Sequence, residues 1–239
     1  MPLPYQPVGM SSIYKPSTGW YAADVQQASA PHPAPTGSRQ KLVDAAIVLI
    51  REKGYASTSL DDLCTKAGLS KGAFFHYFKS KDDLAVASAN YWSESTGAFF
   101  AAAPYHTRSD PLERVLGYLE FRKAILAGKL PEITCLVGTM VQEVYASHPN
   151  IARACEDSIR AHAAALEVDI AAAMRRHRIR ARWTAESLAL HTQAVLQGSF
   201  ILAKAKGGAA VAIESIEHLR RYIELLFKSR RRTPRTGRR

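Results

Sequence analysis

From Ser38 to Phe227 the apolar residues recur at spacings of three and four, the period of a helix with one buried face. Most gaps between these runs carry a residue that starts or stops a helix. Ser38 is placed to cap a run with Leu42, Ala45, Ala46, Leu49 and Ile50 on one side, and Gly54 stops it. Ser59 with Asp62, and Ser80 with Asp83, have the spacing of a capping box. Asp110-Pro111-Leu112-Glu113 combines an N-cap acid, a proline at the first helical position and an acid at the third. Thr184 and Gly207-Gly208 bracket a later run. The pattern predicts nine helices, over 38–53, 60–67, 71–77, 81–102, 111–127, 132–147, 150–178, 185–205 and 210–227. No strand is predicted, because short alternating stretches such as Ile133 to Val137 lie inside helical runs. The expected fold class is all-α.

The two ends differ from this middle. Residues 1–36 hold seven of the twelve prolines and no sustained period, and read as a disordered leader. The segment 228–239 carries Lys228, Arg230, Arg231, Arg232, Arg235, Arg238 and Arg239 with no acid, and reads as a basic disordered tail. It supplies most of the formal net charge of +11, so basicity alone is weak evidence for a nucleic-acid partner. With 47% hydrophobic and 22% charged residues, wholesale disorder is excluded. No run of eighteen apolar residues occurs, which argues against a membrane-spanning helix. Cys64, Cys135 and Cys155 form no CxxC pair and no disulfide framework, which fits a reducing compartment. The histidines show no close ligand spacing, so neither metal nor cofactor is expected.

The window from Gly37 to Leu84 carries the functional signal. Two runs of about two turns, 60–67 and 71–77, are joined by Gly68, apolar Leu69 and a potential cap, Ser70. Such a unit is a helix-turn-helix, and helices this short need neighbours as a floor. Phe74 and Phe78, spaced i, i+4, are predicted to face inward. That leaves Lys71, Gly72, Ala73, Phe75, His76 and Tyr77 outward or flanking. Outward aromatics suit a sugar–phosphate surface, small residues let the helix start enter a groove, and Lys71 can reach phosphate or guanine. Lys81 opens the next helix, where free amides favour an anion. Alternatively, residues 59–84 are only the edge of a three-helix core.

The stretch TSLDDLCTKAGLSKGAFFHYFKSKDDL, Thr58 to Leu84, strongly resembles the DNA-binding domain of TetR/AcrR-family transcriptional regulators. The match spans residues 37–83. Family members usually have Thr-Leu-Tyr where this chain has Ala73-Phe74-Phe75, so the hydroxyls at 73 and 75 are missing. The resemblance implies that Lys71, Gly72 and Ala73 face the major groove. It implies that Phe75, His76 and Tyr77 touch backbone and bases, and that Thr58 and Lys81 bind phosphates on either flank.

It also implies that residues 84–227 form a helical effector-binding and dimerisation domain. Independently, specific readers of duplex DNA usually present two recognition helices about 34 Å apart. The last two predicted helices carry wide apolar faces, including Leu190, Leu196 and Ile201 on one and Ile213, Ile216 and Ile223 on the other. Effector-pocket candidates are Trp92, Phe99, Tyr118, Phe121, Cys135, Met140 and Phe200, although aromatics at helical spacing are ordinarily core. Cys135 opens Cys-Leu-Val-Gly, which resembles a subset of the family in which some members sense electrophiles or oxidants; its other reading is a small buried hydrophobe. The expected partners are a double-stranded DNA operator, a second copy of the chain and an unidentified small-molecule effector. The expected location is cytoplasmic, with no membrane partner. An enzyme is the competing class, but no paired carboxylates, Ser/His/Asp set or phosphate loop supports catalysis. A surface-binding protein acting through the basic tail is a third.

Overall fold

The computed structural model describes residues 37–228, so the predicted leader and all but Lys228 of the predicted tail lie outside the described residues. The described residues form ten α-helices and one 3-10 turn, with no strand among them. The helices are α1 (Ser38–Lys53), α2 (Leu60–Ala67), α3 (Lys71–Tyr77), α4 (Lys81–Ala101), α5 (Pro111–Ala124), α6 (Leu130–Ile133), α7 (Leu136–Val144), α8 (Pro149–Arg176), α9 (Ala185–Lys206) and α10 (Ala210–Phe227); the turn is Pro104–Thr107.

Most of the predicted caps are made. Ser59 Oγ accepts from the Asp62 amide at 3.1 Å, and Asp62 returns a bond from the Ser59 amide at 2.8 Å. Asp110 accepts from Leu112 N at 2.9 Å, and Thr184 and Ser187 cap reciprocally at 3.0 Å. Two caps differ from expectation. Gly37 occupies the N-cap of α1, so Ser38 is already helical. Ser80 accepts from Asp83 N, but Asp83 answers to the Lys79 amide, so the second half of the box is displaced by one residue.

The predicted helix 132–147 is divided. Thr134 and Cys135 are extended, with ψ of 159° and 127°, and separate α6 from α7. The break has a distant cause. Arg51 of α1 donates through Nε to the Thr134 carbonyl at 2.9 Å, a bond that α-helical geometry at Thr134 would not present. Cys135 then becomes the N-cap of α7, its Sγ accepting from Gly138 N at 3.5 Å.

α8 is the axis of the described body, packing against α4, α5, α7 and α9. One apolar core joins Leu42, Val43 and Ile50 of α1, Leu63 of α2, Phe74 of α3 and Leu84 of α4 to Leu136, Met140 and Val144 of α7 and Ile151 and Cys155 of α8. Each such side chain contributes about 1.5–3 kcal/mol on burial, so the short helices take their stability from this shared core. The expected boundary at 83/84 falls inside α4, a single helix of 21 residues.

Candidate nucleic-acid interface

The α2–α3 turn is fixed by backbone hydrogen bonds. Gly68 has φ +66° and ψ +38°, the left-handed region. Its amide reaches Thr65 O at 3.2 Å, and the Leu69 amide reaches Cys64 O at 2.9 Å, the paired bonds of a Schellman ending. Leu69 packs on the core beneath. Ser70 Oγ accepts from Ala73 N at 3.1 Å and starts α3 at once. Lys53 bonds Asp62 at 2.7 Å; this bond and those from Ser59 hold the Asp62 carboxyl well below the usual carboxylate range.

α3 is anchored by Phe74 and by Phe78, the residue after its last turn. Both are buried, their ring centroids 5.9 Å apart, and Arg39 of α1 lies over Phe78 at 5.2 Å. With that face inward, Lys71, Gly72, Phe75, His76 and Tyr77 are exposed and Ala73 is half-buried. Phe75 is 57% exposed and Tyr77 40%. His76 and Tyr77 meet edge to face at 4.7 Å. The Lys71 ammonium pairs with Asp61 at 2.7 Å across the turn. Both partners are exposed, so the pair exchanges readily for another anion.

Two flanking candidates stand differently from expectation. Thr58 is 1% exposed, and its hydroxyl donates to Gly54 O at 2.6 Å, which removes it from any phosphate. The Lys81 ammonium turns inward. It donates to the carbonyls of Tyr55 and Thr58, each at 3.1 Å, and lies 4.1 Å from the centre of the Tyr55 ring. The loop between α1 and α2 presents two carbonyls and an aromatic face, a better cation site than open solvent at a helix start. Lys81 therefore staples this loop to α4.

Sequence reasoning missed the link from this module to the body. Glu143 of α7 accepts from the Tyr55 and Ala56 amides, at 3.1 and 2.8 Å. The Tyr55 hydroxyl bonds Asp82, and its ring meets His148 edge to face at 5.4 Å. Together with Arg51 and Thr134, these contacts tie the start of the two-helix motif to α7. No local pattern marks them, because each spans more than eighty residues except the Tyr55–Asp82 bond.

The seven pocket candidates do not converge on one cavity. Cys135 and Phe200 line a cavity of 220 Å³ between α7 and α9, with Gln197 and Lys204. Tyr118 lines a second, of 180 Å³, between α4, α5 and α8. Met140 belongs to the shared core, Trp92 lies under Arg51 at 4.8 Å, and Phe99 packs against Phe121 at 5.2 Å. None of these four lines either of these two cavities. Among the described residues no cluster of His, Cys, Asp or Glu has the geometry of a metal site, and no helix is long and apolar enough to cross a membrane.

Residues 42–87 match the family model described as bacterial regulatory proteins, tetR family. The transcriptional regulator AcuR of Cereibacter sphaeroides is 30% identical over 116 residues, 48% of this chain and 53% of that protein. The transposon Tn10 TetC protein of Escherichia coli is 29% identical over 129 residues, 44% of this chain and 66% of that protein. The chain thus spans between half and two thirds of the length of these relatives. A solved TetR-family transcriptional regulator from Agrobacterium tumefaciens superposes with a TM-score of 0.69 at 21% identity, over 77% of this chain and 96% of that one.

Proposed function

From a chain that belongs to the TetR family through residues 42–87 and has the helical fold of that family's solved members, we propose a homodimeric, sequence-specific repressor released from its operator by a small molecule. The observation that carries this reading is the outward face of α3. Lys71, Gly72, Phe75, His76 and Tyr77 are left open on a helix whose opposite side is locked by Phe74 and Phe78. Such a face offers a cation, small residues for close approach, and rings for sugar and base contact.

Dimerisation is supported by the outer faces of α9 and α10. Leu190, Ile201 and Leu202 on one, and Tyr222 and Leu225 on the other, are all exposed by 44% or more. A Cβ added at Gly198, on the same stripe of α9, would meet nothing within 4 Å, so a partner helix can approach closely there. Two such helices from each subunit suit a four-helix interface. Release follows as a population shift: an effector changes operator affinity only by its differential affinity for two arrangements of the reading heads. The bonds from Glu143 and Thr134 to the reading module give movement of α6 and α7 a direct route to it.

Cys135 supports a second mode of release. It is half-buried at the start of α7 and lines the 220 Å³ cavity with Lys204, where a small reagent could reach its sulfur.

The test is recovery of bound genomic fragments, then fluorescence anisotropy on a recovered duplex at rising salt. Wild type should bind with a steep salt slope, and Phe75→Ala with Tyr77→Ala should lose that affinity while melting normally. Unchanged binding in the double variant would refute the placement of α3 in the groove.

A further inference from the structure

The end of α8 and the turn into α9 carry a concentration of positive charge that lies outside the reading module. Arg175, Arg176, Arg178, Arg180 and Arg182 follow closely on one another, and all are exposed. The sequence has no acid between Asp169 and Glu186, and Arg114 already holds Asp169 at 2.7 Å. Arg176 pairs with Asp110 at 3.5 Å, a carboxylate that also takes His177 at 3.0 Å. Arg175, Arg178, Arg180 and Arg182 have no ion pair among the described residues. Arg175 and Arg176 suit the negative end of the α8 dipole, which leaves the other three unexplained.

The backbone adds an independent observation. α8 ends in a Schellman arrangement, with the Arg178 amide on Arg175 O at 3.2 Å and the Ile179 amide on Met174 O at 2.9 Å. Arg178 holds the left-handed position at φ +54°, and among the described residues no other residue except glycine has a positive φ. Glycine or asparagine is the stable occupant of such a position. The Arg178 side chain makes no hydrogen bond, ion pair or ring contact among the described residues that would offset the strain. A strained residue whose side chain points only to solvent is explained by a partner outside the chain.

The place of the patch limits what it can meet. His148, just before α8, meets Tyr55 of the reading module. From there α8 runs 28 residues, about 42 Å at the rise of a helix. The patch is therefore at the end of α8 remote from the module. α10 ends at the same place: Phe227 meets the rings of His177 at 6.2 Å and Trp183 at 5.8 Å. Lys228, the first of seven basic residues in the last twelve, follows directly.

Guanidinium groups match phosphate oxygens two at a time. A membrane-binding surface would also present apolar side chains for insertion, and a protein interface would centre on aromatic or aliphatic anchors. Between residues 169 and 189 no large hydrophobic side chain is exposed, and Trp183 is engaged with Phe227. We infer that this patch binds the phosphate backbone of a nucleic-acid duplex, without regard to sequence, at the opposite end of the body from α3. With α3 on one duplex, it gives the same molecule a hold on a second. The patch itself does not depend on α3 reading an operator.

The test is fluorescence anisotropy of the full-length protein with a duplex of arbitrary sequence, at salt from about 50 to 200 mM. Phe75→Ala with Tyr77→Ala should leave measurable binding. Adding Arg175→Ser, Arg178→Gly, Arg180→Ser and Arg182→Ser to that pair should weaken it by about tenfold or more and reduce the salt slope by about three to four. Arg178→Gly alone should reduce the slope by about one while the melting temperature stays level or rises, which keeps the test open if the fourfold variant does not fold. The inference is overturned if the arginine variants bind and titrate as their parents do. It is also overturned if the α3 pair alone removes all duplex binding, or if phosphatidylserine vesicles hold the protein at salt that releases the duplex. If the α3 pair changes nothing and the arginine variants lose everything, the patch stands and the placement of α3 in the groove falls.

Discussion

Gly68 offers a test in which conformation and packing separate cleanly. Its backbone is left-handed, at φ +66° and ψ +38°, and a Cβ built there meets nothing within 4 Å. Any cost of substitution is therefore torsional rather than steric against neighbours. An L-residue in this region costs about 1–2 kcal/mol, partly offset for alanine by about 0.4–1 kcal/mol from a less flexible unfolded chain. Gly68→Ala should thus cost about 1 kcal/mol. Gly68→Asn should cost less, because a short amide tolerates this region. Gly68→Val should cost about 2–3 kcal/mol, since β-branching stiffens the side chain against it. For a chain of this length each kcal/mol lowers Tm by about 2–4 °C. Thermal and urea unfolding of the four proteins should give the order Gly, Asn, Ala, Val. If valine is no worse than alanine, the Schellman ending of α2 does not exist in solution.

Lys81→Met should lower the melting temperature of the protein but leave the salt slope of DNA binding unchanged, because its ammonium holds the Tyr55 and Thr58 carbonyls; a slope reduced by about one would return it to the phosphates. Gly198→Arg should convert the proposed dimer to a folded monomer by sedimentation while preserving helicity, since the position faces open space within one chain; a dimer that persists would place the interface elsewhere. Cys135→Ser should abolish electrophile-induced release from DNA and leave untreated binding intact. Release lost instead in Cys64→Ser would point to damage of the reading module, where Cys64 is buried. His162 makes the fold acid-sensitive: the unfolded chain takes up its proton below about pH 6.5, while the folded ring stays neutral down to about 3. Its contribution to stability therefore falls as pH drops across that window, and His162→Gln should flatten the urea-midpoint profile there. An unchanged profile would mean that the ring is open to solvent.

What could be read from the sequence was whatever neighbouring residues decide. The caps at Ser59, Asp110 and Thr184, the turn at Gly68 and the inward pair Phe74 and Phe78 are each set within a few positions, and they fix α2, α3, α5 and α9. The outward face of α3 followed from the same spacing. The break at Thr134 was illegible because its cause is Arg51, 83 residues away. The inward turn of Lys81 depends on where the loop carbonyls of Tyr55 and Thr58 come to lie, which no periodicity encodes. Met140 and Cys135 lie five residues apart in sequence, yet one is core and the other lines a cavity. The contact between Arg122 and His162 was illegible for the same reason, since it exists only once α5 and α8 are side by side.

The core shared by α1–α4 with α7 and α8 bears on how this reading head can be recombined. Cutting after Asp83 would strip Leu42, Ile50 and Phe74 of the shared-core residues Leu84, Leu136, Met140 and Ile151 and leave an oily wound where the interior had been. A chimera that transplants residues 37–83 alone onto a foreign body should therefore aggregate, whereas a graft that carries α4, α7 and the first turns of α8 brings its own seam. Under the proposed function, operator preference would transfer only together with part of the helical body that follows the motif. Swapping recognition while keeping the response is better done by exchanging the exposed residues of α3 one side chain at a time.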